Sequence, residues 1–307
     1  MSKIAIKETL KENRPKLADS SLTTYASIID NLHKRMRPNE PFNRALMDDS
    51  GAILHELSTK PSNTRKTILS ALVIYTLKNK AVSSAYRTVM MADGAKTNHA
   101  DTEQKMTDAQ RANWVSQEDV HALFDRMDRE TKPLFSMYSS KNKQITTAHI
   151  NKMQDFITLA LYTLIPVRRL MDYTEFKVRN FNTETDNFMQ RGHFVFHKYK
   201  TSKVYGEQSV KLPIRLKNLV QKWTSMTTND WLLFNPATNA PLTNVQLNQR
   251  LHRIFGKNVS VNILRHSYLT HQYRSIPALV EMEKRAQDMG QSVEQALKYI
   301  KQDAPGK

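Results

Sequence analysis

The stretch 193–213, HFVFHKYKTSKVYGEQSVKLP, decides how this chain is read. Its two arms, HFVFHKYK (193–200) and VYGEQSVKLP (204–213), are rich in Val, Phe and Tyr, with TSK between them and Gly206 just beyond. β-branched and aromatic runs flanking a turn signal predict a β-hairpin. Everything around it has the period of a helix. Upstream, residues 147–165 place Ile150, Met153, Phe156, Ile157, Leu161 and Leu164 at helical spacing, and Pro166 ends or bends that helix. Ser116 with Asp119 forms a capping box that opens a helix to about Met127. Downstream, helices are predicted at 214–225, 244–255, 262–273, 277–289 and 293–301. Thr243 with Gln246 and Ser292 with Gln295 are further capping-box pairs.

Further out, residues 19–37 place Leu22, Tyr25, Ile28, Ile29 and Leu32 on one helical face, and residues 61–80 do the same with Ile68, Leu69, Leu72 and Tyr75. Residues 1–92 therefore read as a small all-helical domain. Residues 93–113, DGAKTNHADTEQKMTDAQRAN, contain no large apolar residue except Met106 and read as a linker. Residues 114–307 form the second domain, so the fold class is mainly α with one small β-hairpin or sheet.

Composition narrows the chemistry. The chain of 307 residues carries 46 basic and 29 acidic side chains, a formal net charge of +17. At 39% hydrophobic residues it can bury a core, so the charge needs an external reason, and nucleic acid is the commonest polyanion. Cysteine is absent, which excludes disulfide scaffolds, cysteine nucleophiles and thiolate metal sites. Only seven glycines occur, none spaced as a phosphate-cradling loop or a nucleophile elbow. No apolar run reaches membrane-spanning length, and the polar N-terminus lacks a secretory core. The expectation is a protein that is not secreted and stays off membranes, in the cytoplasm or nucleus with its polyanionic partner.

Four clusters carry potential chemistry: IPVRRLMDY (165–173), HKYKTSK (197–203), VNILRHSYLTH (261–271) and MGQSVEQALKYIK (289–301). Their order and spacing resemble the tyrosine recombinases, the family of phage integrases, Xer and Cre. The wording PVRRLMDY and YKTSKVYGEQ is similar to integrases of large DNA viruses and their virophages. The resemblance implies a helical core-binding domain over 1–92 and an α+β catalytic domain over 114–307 that together clamp duplex DNA. It implies a homo-multimer on two duplexes and a 3′-phosphotyrosyl intermediate, with no cofactor and no metal.

Residue by residue, the resemblance assigns the first arginine to Arg169, because Asp172 follows three residues later and would orient it through a bidentate pair. The hairpin lysine is Lys200, the second arginine Arg265 and the nucleophile Tyr299. Arg168, Lys203 and His266 are expected near the substrate, His266 as a structural hydrogen bonder. Two positions depart from the family pattern. Its His-x-x-Arg reads Asn262-Ile-Leu-Arg265 here, and its later His or Trp reads Gln291. Both keep a hydrogen-bonding amide and lose a group that titrates near neutrality. Two alternatives stay open: a type IB topoisomerase-like enzyme, and a catalytically weak DNA-binding protein of the same fold.

Overall fold

The computed structural model describes residues 2–138, 144–290, 292–294 and 297. It is mainly helical with one four-stranded sheet. In chain order the elements are α1 (Ser2–Asn13), α2 (Asp19–Met36), α3 (Arg44–Asp48), α4 (Ser50–Glu56), α5 (Ser62–Tyr75), α6 (Lys80–Thr102), α7 (Asp108–Asn113), α8 (Gln117–Met137), α9 (Thr147–Thr163), α10 (Met171–Thr174), β1 (Phe176–Lys177), β2 (Asn187–Gln190), β3 (His193–Phe196), α11 (Ser202–Tyr205), β4 (Gln208–Lys211), α12 (Ile214–Met226), α13 (Asn244–Phe255), α14 (Val261–Gln272) and α15 (Leu279–Asp288). Contacts divide them into two units. One holds the described residues up to Lys105 and those from Pro277 on, and the other spans Met106–Ile276.

The first unit is all helix. α2 buries Leu22, Ala26, Ile29 and Leu32, spaced three or four apart, so one stripe of the helix faces its neighbours. Two buried polar side chains are bonded to backbone: His33 Nε2 accepts from Asn43 N at 3.0 Å, and Tyr86 donates its hydroxyl to the Met47 carbonyl at 2.8 Å. Arg65 on α5 holds Asp93 on α6 with two bonds, Nε to Oδ2 at 2.7 Å and Nη2 to Oδ1 at 2.6 Å.

That pair overturns the linker expected over 93–113. Asp93 is buried and α6 continues through Thr102, while α7 begins at Asp108 with a capping box of Thr107 and Gln110. Only residues 103–107 leave the helices. Scarcity of apolar side chains signals exposure, and an anchored helix can extend into solvent on good helix formers. The second domain also ends earlier than expected. α15 groups with the first unit, where Gln104 Oε1 accepts from Leu279 N at 2.8 Å and Ala286 is buried.

The second unit centres on α9, the most apolar helix. Its Phe156 stacks on Phe124 of α8 at 5.2 Å, and α8 passes the expected end at Met127 to reach Met137 with Pro133 inside it. The capping boxes at Ser116 and Thr243 are both formed. The sheet has the order β1-β2-β3-β4, parallel between β1 and β2 and antiparallel elsewhere. The expected hairpin is β3 and β4, with Phe194 opposite Val210. Its strands are shorter than the apolar runs, and residues 197–207 form a connection that includes α11. Phe194 and Phe196 face inward against Phe176 and Tyr173.

Candidate active site

The first arginine cluster lies between α9 and α10. Pro166 follows the helix end, so residues 166–169 are irregular, and Asp172 N then donates to the Arg169 carbonyl at 3.1 Å in a turn. The expected pairing of Arg169 with Asp172 is not what forms. Arg168 makes it: Nε donates to Asp172 Oδ2 at 2.8 Å, and Nη1 donates to Gln208 Oε1 at 2.9 Å. A spacing of three brings side chains together on a helix, but the chain here is not helical until Met171. Arg168 also lies over the Phe196 ring at 3.8 Å and near Tyr199 at 5.4 Å. Its side chain is 15% exposed and that of Asp172 only 4%.

Arg169 and Arg265 are different. Each is half-buried, and neither makes a hydrogen bond or ion pair with another described residue. Both act electrostatically on Asp172. Burial pushes the Asp172 carboxyl up, and Arg168, Arg169 and Arg265 pull it back without cancelling the shift. Three guanidinium groups therefore share one carboxylate, leaving an excess of positive charge where two planar forks are uncommitted. Planar guanidinium forks of this kind match, in general, the geometry of an oxyanion with several acceptor oxygens.

Arg265 sits on the second turn of α14, whose first turn carries Asn262, exposed and three residues earlier. Ser260 caps this helix, accepting from Ile263 N. The positive end of the helix and the Asn262 amide thus lie on the same turn-to-turn path as Arg265. His266 was expected to be a structural hydrogen bonder, but it is exposed and bonds to no other described residue. The inward position next to it belongs to Ser267, whose hydroxyl accepts from Gln117 Nε2 at 2.9 Å.

The lysines also separate. Lys198 binds Asp186 Oδ1 at 2.9 Å, and Lys177 binds the other oxygen of that carboxylate at 2.9 Å. Burial alone would raise the Asp186 carboxyl, but the Asn182 N–H and the two lysines outweigh it and hold it well below the usual range. Lys200 and Lys203, in the β3–β4 connection, are exposed and pair with no described residue. The free lysines are thus the ones near the turn. Gln291 and Tyr299 lie outside the described residues.

The residues that sequence reasoning missed form the frame. Asn187, 1% exposed, uses its whole amide: Nδ2 donates to the carbonyls of Asp172 at 3.0 Å and Lys198 at 2.8 Å, and Oδ1 accepts from the backbone N–H groups of His197 at 2.8 Å and Lys198 at 2.7 Å. It stitches the arginine segment to the end of β3. Asp172 Oδ1 and the hydroxyls of Tyr162 and Tyr173 are buried without a hydrogen-bond partner among the described residues. Burial raises both phenols above their ordinary value, so neither is a ready nucleophile.

A cleft of about 230 Å³ opens next to this site, lined by Gln117, His121, Pro166, Tyr268 and His271 among others. Tyr268 is one turn beyond Arg265 on α14. No group of three or more His, Asp or Glu side chains that could hold a metal ion occurs among the described residues, and none of the described helices is long and apolar enough to cross a membrane. No family model matches the chain, and no curated protein matches it in sequence.

Proposed function

We propose that the chain is a DNA strand transferase of the tyrosine-recombinase type, acting as a homo-multimer on duplex DNA. The observation that carries the reading is the division of labour among its arginines: Arg168 is spent within the protein, while Arg169 and Arg265 stand uncommitted around Asp172. Uncommitted, half-buried guanidinium groups suit a phosphodiester, whose non-bridging oxygens gain charge when the phosphorus is attacked. The exposed lysines of the β3–β4 connection, Lys200 and Lys203, and the +17 charge of the chain support the same substrate.

In this reading the Tyr299 phenol attacks phosphorus. Its oxygen forms the new P–O bond, the bond to the 5′ oxygen breaks, and the phenolic proton passes to solvent. Arg169 and Arg265 stabilise the added charge, while Lys200 gives its proton to the departing 5′ oxygen. Asn262 and Gln291 donate hydrogen bonds to the phosphate. Neither can act as a base near neutrality, so the attacking step should accelerate with rising pH.

The test is capture of a covalent protein–DNA adduct on a randomised duplex pool carrying a nick that lets the short strand diffuse away. Wild type should form an adduct, and Tyr299→Phe should form none while still binding DNA in a salt-sensitive manner. An adduct that persists in Tyr299→Phe and maps to Tyr268 would move the nucleophile to the cleft beside Arg265. A wild type that binds and never links would favour the DNA-binding protein, which the exposed amide at position 262 makes the second reading. Joining of two duplexes separates recombinase from topoisomerase.

A further inference from the structure

One side chain joins the arginine segment to the lysine-bearing connection. Arg168 immediately precedes Arg169 in the chain. Its guanidinium touches Asp172 on one side and Gln208, the first residue of β4, on the other. Its plane covers Phe196, the last residue of β3, at 3.8 Å, and Tyr199 lies at 5.4 Å. Phe196 and Gln208 are the two roots of the connection 197–207, and Tyr199 is the chain neighbour of Lys200. Tyr199 also donates its hydroxyl to the Gly206 carbonyl at 2.8 Å, which closes the connection on itself. Lys200 has no partner of its own among the described residues, so its placement is inherited from these roots.

We infer that Arg168 is a positioning residue that holds the Lys200 ammonium in register with the arginines, rather than a contact to the phosphate. The inference rests on the strand-transfer reading above. Lysine cannot replace Arg168, because an ammonium lacks the planar fork that reaches Asp172 and Gln208 together while stacking on Phe196. Gln208→Ala removes one arm of the latch and leaves the buried Asp172 paired, so it loosens the connection without stranding a charge.

The chemistry of the leaving group tests this. A 5′ oxygen leaves as a strongly basic alkoxide and needs a proton. A 5′ sulfur leaves as a thiolate of pKa near 8.5 and needs none. The probe is the duplex recovered as covalent adduct from the randomised pool, prepared with either a bridging oxygen or a bridging sulfur at the scissile phosphate. Arg168→Ala and Arg168→Lys should slow single-turnover cleavage of the oxygen substrate by about 10²-fold, the lower range of general-acid effects, and the sulfur substrate by less than about tenfold. Gln208→Ala should show the same sulfur selectivity with a smaller loss, and Lys200→Ala should show it most strongly. Arg169→Ala should slow both substrates alike, because it acts on phosphate charge.

Equal slowing of both substrates by Arg168→Ala and Gln208→Ala, or no slowing of the oxygen substrate by either, would overturn the inference and leave the strand-transfer reading standing. If Arg168→Ala does not fold, Gln208→Ala alone decides. A wild type that cleaves neither substrate would overturn the reading, and the inference with it.

Discussion

Two of the buried Arg–Asp pairs, Arg65–Asp93 and Arg168–Asp172, differ in completeness. In the helical unit Arg65 grips both oxygens of Asp93, with the carboxylate side chain 1% exposed. Hydrogen bonding from Arg65 overcomes burial and lowers the Asp93 carboxyl below its ordinary value. In the second unit Arg168 takes only Oδ2 of Asp172, and Oδ1 is buried without a partner among the described residues. There burial wins and the carboxyl is raised. The first pair is a closed structural bond. The second is an open one, with two further arginines in its field and an arm of Arg168 reaching across to β4. Unsatisfied buried polar groups cost stability, so natural chains tolerate them chiefly where function needs a poised charge.

Breaking each pair should separate stability from chemistry. The largest effect is expected from Arg65→Ala, which strands a buried carboxylate. Loss of about 3 kcal/mol or more in unfolding free energy of the helical unit should follow, measured by urea denaturation. A loss below about 1 kcal/mol would mean that solvent reaches Asp93 in solution.

Next come Arg169→Ala and Arg265→Ala. Each should lower single-turnover cleavage by about 10²–10³-fold, equivalent to roughly 2.7–4 kcal/mol of transition-state stabilisation. Because neither side chain is bonded to another described residue, unfolding should change by no more than about 0.5 kcal/mol. Parallel loss of stability and rate would make these arginines structural and erase the contrast with Arg65.

The smallest effect, and the one that sharpens the comparison most, is in the pH dependence. The lowered carboxyl of Asp93 contributes stability that is present above the unfolded value near 4 and is lost as pH falls through the folded value. The raised carboxyl of Asp172 does the reverse: its contribution is full below about 4 and declines as pH rises through the folded value. The stability difference between wild type and Asp93→Asn should therefore grow from about pH 3 to about pH 7, while that between wild type and Asp172→Asn should shrink. Slopes of the same sign would show that the two pairs are electrostatically equivalent.

α2 was legible from its apolar stripe and α9 from its apolar residues at helical spacing, and so was the hairpin, because its Phe and Val arms break the surrounding period. What was not legible depended on tertiary partners. The pairing of Asp172 could not be read from a spacing of three residues, since Pro166 takes the intervening chain out of the helix. The extension of α6 through 93–102 was hidden because its anchor, Arg65, lies on another helix. Lys198 and Lys200 are equivalent in sequence; only Asp186, brought in from the turn before β2, tells them apart. Gln208 and Phe196 read as ordinary strand residues, and nothing local marks them as the seats of a guanidinium.

Asn187 has a consequence for how this site can drift as the sequence changes. Each of its four hydrogen bonds goes to backbone, so the neighbouring side chains are free to vary while position 187 is not. Aspartate would keep the two acceptor bonds and set a charged oxygen against the carbonyls of Asp172 and Lys198 at distances of 3.0 and 2.8 Å. Serine would span too little, and glutamine would push one methylene into a position that is 1% exposed. Around this amide the exposed tip residues of the connection, Lys200 and Lys203 among them, have no described side-chain partner that fixes their identity. The exposed rim can thus vary while a single uncharged, buried residue that bonds only to backbone sets the boundary of what is permitted.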